Sequence, residues 1–546
     1  PGGTPKLGVT PNADGSATFC FVAPDKKSVV LRGSWNDYAI VGSQQMNYTD
    51  FGGNRYFWCT VPGVANGQNQ TYYYLVDGQI EVGDPYAHLV LDYENDKTIP
   101  ASVFPDMPAY PARLVATPTI PLAVFNSTES DYAWEVTDFH GPDRSDLVIY
   151  EMLVRDFTGT ENAARGDGTI EKAIAKLDYL KNLGVNAVEL LPIMEFSGNQ
   201  SWGYNPNFYL APDKAYGTPD AYRRFIDECH KRGMAVILDI VFNHVDGRHP
   251  WYNMYPGIST KFFNAAGSAP HAYSVFNDWK QEYELVEQHF EDALKYWITE
   301  FKADGFRFDL MAIHDIETMN RVAAELKEIN PDIFVYGEGW TAGGSPLPAE
   351  RRALKENVAK MNGVAVFSDD IRDAIKGHYS DAADRGFATG KPGLEETVKI
   401  GIVAATPHPQ VDYSKGNNSK FAYASSPTQI VNYVSCHDDL TLTDKLAKSM
   451  PDASATERMR AARLAQTIVF TSQGTPFMFA GEEVFRDKKG VHNSYKSPDS
   501  INAIDWTLKH ANADQFNYYK ELIALRKAHP AFRMTSAADV ARNIRF

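Results

Sequence analysis

The sequence predicts an α/β protein: a (β/α)8 barrel preceded by an all-β sandwich. Three observations predict it. Short β-rich runs separated by turn residues fill the first 115 residues. From about residue 147, eight apolar strands alternate with helical stretches. Charged residues then sit at the C-terminal ends of several of those strands, where a barrel of this kind builds its site.

The N-terminal runs are SATFCFVAP, SVVLRG, RYFWCTV and TYYYLVDG, punctuated by Gly, Pro, Asn and Asp. They assign residues 1–115 to the sandwich. The Pro-punctuated stretch at 105–125 leads into a linker assigned to 116–144. Strands are then predicted at 147–152 (LVIYEM), 185–191, 234–242, 305–310, 333–338, 363–368, 430–435 and 476–481. A helix is predicted at 169–183 and another at 218–232. Thr218 can cap the second, Pro219 suits its first turn and Gly233 its exit. Continuous apolar strands with helical crossovers indicate a parallel sheet covered on both faces. An open doubly wound sheet is the alternative, but no Gly-rich phosphate loop follows the first strand. The barrel would occupy 145–532 with a small insertion near 245–283. Residues 533–546 would begin a truncated C-terminal β domain. The start, PGGTPKLG, has neither Met nor a signal h-region and reads as mature or engineered.

With 546 residues the chain exceeds one hydrophobic core and suits two to four domains. A formal charge of −16 argues against binding a phosphate backbone, so no nucleic acid partner is expected. No run of 18 apolar residues exists, so no membrane span is expected. The 29 Tyr, 30 Phe and 9 Trp supply flat faces that pack cores and also suit sugar rings. The four cysteines have no metal-like spacing; Cys20 and Cys59 lie in one region and could pair. A secreted or periplasmic setting is favoured over the cytoplasm.

The strand ends carry the chemistry. In GFRFDL (305–310), Phe306, Phe308 and Leu310 alternate with Arg307 and Asp309, which puts both charges on one face. Asp239, Asn243 and His244 follow the third strand, Glu338 ends the fifth, and His437 and Asp438 follow the seventh. Asp309 and Glu338 stand one strand–helix–strand repeat apart, on neighbouring strands. Two adjacent carboxyls suit glycoside hydrolysis, one ionised to attack and one protonated to donate. Arg307 would keep Asp309 ionised. Glu338, beside Trp340 and without a cationic neighbour in sequence, suits the acid role. A purely structural Arg307–Asp309 pair is the other reading; four charged strand ends together outweigh it.

DIVFNH (239–244), GFRFDLMA (305–312), YGEGW (336–340) and YVSCHD (433–438) resemble the four ordered motifs of the α-amylase superfamily of glycoside hydrolases. Further runs, GGSPLP, GVAVFSDDIRDAI and GEEVFRDKKGVHNSYKSPDSINAIDW among them, resemble type I pullulanases, which cut α-1,6 branch points. LRGSWNDY and YYYLVDGQIEVGDPYA are similar to a starch-binding-type module. The resemblance implies a retaining hydrolase acting on α-glucan polysaccharide or branched malto-oligosaccharide. Asp309 would be the nucleophile, Glu338 the acid/base and Asp438 the transition-state stabiliser. Tyr204 would stack under the sugar, with His244, Arg307, Trp340 and His437 contacting substrate or the nucleophile. Asp239 and Asn243 would be structural supports. The resemblance requires no organic cofactor and allows a calcium ion at Asn243. Trp and Tyr residues of the insertion are candidates for lining the groove or for packing. The family usually carries YNWGYDP where this chain reads NQSWGYNP. An α-1,4-acting amylase or neopullulanase-like enzyme and an inactive glucan-binding protein are the alternatives.

Overall fold

The computed structural model describes residues 5–116, 119–159, 167–255, 261–264, 277–345 and 347–546. The N-terminal part holds two antiparallel sheets. One runs in the order Gly8–Pro11, Ala17–Val22, Asn54–Val61, Asn47–Phe51. The other runs Val29–Gly33, Gln70–Val76, Leu122–Phe125, Val90–Leu91, with Ile80–Val82 also paired to Gln70–Val76. Buried aromatics join the two sheets, as where Phe21 stacks on Tyr74 with ring centroids 4.4 Å apart.

Two sequence expectations are corrected here. Leu122–Phe125, inside the stretch read as a linker, is a strand of the second sheet, paired with Gln70–Val76 on one side and Val90–Leu91 on the other. Its flanking prolines hid a four-residue apolar run that only a distant partner turns into a strand. Cys20 and Cys59 remain free thiols: Cys59 stands opposite Phe19, and Cys20 opposite Trp58.

Eight parallel strands close into the barrel: β1 (Ile149–Met152), β2 (Ala187–Leu190), β3 (Ala235–Ile240), β4 (Gly305–Phe308), β5 (Phe334–Gly337), β6 (Val364–Phe367), β7 (Ile430–Asn432) and β8 (Thr475–Phe479). β8 pairs back onto β1 and removes both sheet edges. The period of two sorts the side chains. Val188, Leu190, Val236, Leu238, Phe306 and Phe308 join the core beneath the helices. Ile149, Ala187, Ile237 and Phe334 fill the barrel interior. Two residues further along β1, β2 and β3, the inward positions are Glu151, Glu189 and Asp239, all buried. Charge therefore occupies the upper interior layer and apolar side chains the layer below.

The helix Pro219–Lys231 forms as its punctuation predicts. Thr218 Oγ accepts the Ala221 amide at 3.1 Å, and Gly233 sits at φ +72°. The stretch 169–183 instead forms two helices, Ile170–Ile174 and Leu177–Leu183. In the insertion, residues 256–260 and 265–276 lie outside the described residues. Trp251 there is fully buried, stacks on Phe262 at 4.3 Å and donates its indole N–H to the Val22 carbonyl. It ties the insertion to the N-terminal sheets and does not line a groove. The expected β start at 533–546 is also corrected. That segment holds the helix Ala537–Asn543, capped by Ser536 and buried at Val540, and His408 Nε2 donates to the Ile544 carbonyl at 3.0 Å.

Candidate active site

The C-terminal ends of β3, β4 and β5 bring three carboxyls onto one guanidinium. The register aligns Asp239 with Arg307 and Arg307 with Tyr336 across these strands. Arg307 Nη1 donates to Asp239 Oδ1 at 3.0 Å and to Asp309 Oδ1 at 2.9 Å, while Nη2 lies 3.2 Å from Glu338 Oε1. Arg307 is buried, and burial works against its charge. The surrounding carboxylates outweigh burial and hold it firmly cationic.

Glu338 is the buried carboxyl across from Asp309. Burial pushes its carboxyl above the ordinary range, Arg307 pulls it back, and the nearby Asp309 pushes it up again. Arg307 is the cationic neighbour that the sequence around Glu338 did not reveal. The Leu310 amide also donates to Glu338 Oε1, at 3.0 Å. That amide is aimed by Leu310 itself, held in the left-handed region at φ +47°, ψ +51°, an uncommon conformation for leucine. The Arg307 and Leu310 donors both fall on Oε1. Burial also pushes Asp239 up, opposed by Arg307 and by the Tyr204 hydroxyl that donates to it.

His437 follows β7 and completes the site from the far wall. Tyr204 stacks on its ring at 5.1 Å, and Trp202 meets it edge-on at 5.1 Å. Its Nε2 lies 3.5 Å from Asp438 Oδ1, and the Asp438 side chain is 45% exposed at the rim. Trp340 is half-buried against the aromatic cluster of the barrel interior.

His244 is buried behind the Tyr204 loop. Its Nε2 donates to the Tyr204 carbonyl at 2.7 Å, and its Nδ1 accepts from Asn243 Nδ2 at 2.9 Å. Burial lowers it to about 4, so it is a neutral ring that anchors the Tyr204 loop. Asn243 also reaches Asp278 Oδ1 at 3.3 Å. Among the described residues this pairs one amide with one carboxylate, fewer than the six to eight oxygens that calcium takes. Among the described residues, the one convergent ligand-type group is Glu151, Cys436 and His437, with donor atoms within 4.8 Å of one another. It is a mixed oxygen, sulfur and nitrogen set, and it does not fit calcium.

Two buried acids of this site were missed in the sequence, Glu151 on β1 and Glu189 on β2. Each breaks an apolar strand as Arg307 and Asp309 do, and the same alternation signal would have found them.

A model of the α-amylase catalytic domain matches residues 151–260. The pullulanase of Bacillus subtilis (strain 168) is 35% identical over 429 residues, 73% of this chain and 58% of that one. The crystal structure of type I pullulanase from B. subtilis str. 168 with maltose superposes with a TM-score of 0.84 at 30% identity, covering 99% of this chain and 74% of that one. That of the Paenibacillus barengoltzii pullulanase with maltohexaose and α-cyclodextrin gives 0.80 at 32% identity, covering 99% and 83%. The chain belongs to the type I pullulanases of the α-amylase superfamily. It spans 58% of the B. subtilis pullulanase and 36% of Pullulanase A from Streptococcus pneumoniae serotype 2.

Proposed function

We propose that this chain hydrolyses α-1,6-glucosidic branch links in pullulan-, starch- or glycogen-type α-glucans with retention of configuration. One observation carries the reading: a single buried guanidinium bridges the carboxyls of Asp309 and Glu338, and Glu338 is pushed toward its protonated form. Asp309 attacks the anomeric carbon as Glu338 delivers its proton to the departing glycosidic oxygen, which leaves a glycosyl ester on Asp309. Glu338, now ionised, takes a proton from water as that water attacks the ester, and both carboxyls return to their starting states. Asp438, exposed at the rim, is placed to accept sugar hydroxyls. Tyr204, half-buried beside His437, is the ring that stacks beneath the sugar in this reading. The named complexes of the family, with maltose, maltohexaose and α-cyclodextrin, support an α-glucan substrate.

Incubation with pullulan followed by product sizing tests the proposal. Maltotriose is expected; panose would mean α-1,4 cleavage instead. No cleavage of pullulan, amylose or amylopectin would leave only a glucan-binding role. Asp309→Asn should abolish turnover while glucan binding survives, and retained turnover would overturn the assigned nucleophile.

A further inference from the structure

Glu151 lies outside the three carboxyls of the proposed reaction, yet it touches the site at two points. Its Oε1 accepts the His437 backbone amide at 2.7 Å and its Oε2 accepts His437 Nδ1 at 2.9 Å. One carboxylate thus fixes both the main chain and the ring of His437. Glu151 is 1% exposed and His437 3%, so water does not share the work. β1 pairs with β2 so that Glu151 stands opposite Glu189. Glu189 is also buried, accepts the Tyr336 hydroxyl on Oε1, and has no donor on Oε2. Two buried carboxyls in contact cannot both ionise cheaply. Burial and the charges of Glu151 and Asp239 push Glu189 well up, toward its neutral form, while the charge of His437 holds Glu151 ionised.

We propose that Glu151 is a positioning residue, with neutral Glu189 as its support. It locks His437 as a ring protonated on Nδ1 and turns the Nε2 edge toward Asp438 and the sugar bound there. The proposal rests on the hydrolase reading for its catalytic consequence only. The groups facing His437 agree with it. Glu151 and Asp438 favour a cationic ring, Arg307 opposes it, and the Tyr204 face lies flat against it. With its Nδ1 proton held by Glu151, the imidazolium can donate only from Nε2. That is the edge beside Asp438.

The test combines kinetics with histidine NMR on the full chain. In Glu151→Gln the ring keeps an acceptor but loses its charge partner. The ring nitrogen shifts of His437, assigned with a His437→Gln sample, should show a neutral ring at pH values where the parent is cationic. Turnover on pullulan should fall 10- to 100-fold. Glu189→Gln keeps a neutral side chain of the same shape beside Glu151 and should hold the His437 signal near the parent. Glu189→Leu removes the acceptor of the Tyr336 hydroxyl and should reduce turnover while thermal melting confirms folding. A His437 signal and turnover unchanged in Glu151→Gln would overturn the proposal. Equal losses in Glu189→Gln and Glu189→Leu would overturn the supporting role. The NMR titration reads the His437 ring without any substrate. A parent that fails to cut pullulan would therefore sink the hydrolase reading and leave the positioning inference to be judged separately.

Discussion

Arg307, on β4, and Asp309, just past its end, meet at 2.9 Å, Nη1 to Oδ1, inside the barrel mouth. The same guanidinium also reaches Asp239 and Glu338. A planar fork serves three carboxyls from three strands at once, and a point charge cannot. Arg307→Lys is therefore expected to reduce turnover at least 100-fold. It should also destabilise the fold by about 3 kcal/mol, because buried carboxyls lose their partner. Steady-state kinetics and chemical unfolding check both halves; a variant with parental turnover would show that the bridge is not needed.

Glu338 acts only when protonated and Asp309 only when ionised. Burial raises Glu338, so the alkaline limb of kcat/KM should fall above the ordinary glutamate range, with activity lost as pH rises through it. Glu338→Gln should cost roughly 100- to 10,000-fold on pullulan. The loss should be much smaller on a maltosyl fluoride, whose leaving group needs no proton. Equal losses on the two substrates would count against the acid role.

His437 links the site to stability. Burial opposes its charge, but Asp438 and Glu151 outweigh burial and raise it to about 10. A raised cation stabilises the fold most below the unfolded value of about 6.5 and loses that contribution as pH climbs through about 10. The gap in unfolding free energy between the parent and His437→Gln should thus be widest near pH 6 and shrink toward pH 10.5. A gap that widened with pH would reverse the assigned charge.

Tyr204 has two separable duties. Its hydroxyl donates to Asp239 and its ring stacks on His437. Tyr204→Phe should lower kcat/KM by about 1 kcal/mol, roughly fivefold, with little change in KM. Tyr204→Ala should raise KM further by removing the platform. Identical kinetics in the two variants would mean that the ring contributes nothing.

The alternation of GFRFDL made Arg307 and Asp309 legible, because a period of two sends both charges to one face whatever the sheet does. The spacing to Glu338 and the ends of β3 and β7 followed from the same repeat. Glu151 and Glu189 carried the identical signal and went unread, since neither falls in the four short motifs. The strand Leu122–Phe125 and the helix Ala537–Asn543 were hidden for another reason: each is defined by what it packs against, not by a local pattern.

The sequence by itself determined the eight strands and the shared face of Arg307 and Asp309, because these depend on periodicities of a few residues. The roles expected of the three carboxyls came from the family motifs. Only the tertiary structure decided that Arg307 is the cation beside Glu338, that the strained turn at Leu310 aims an amide at the same carboxyl, and that Glu151 holds His437 from 286 positions away. Closing the barrel brings strand ends together that are far apart in the chain. Charge interactions fall off over a few ångströms of space, so the protonation states of the site were settled by that closure.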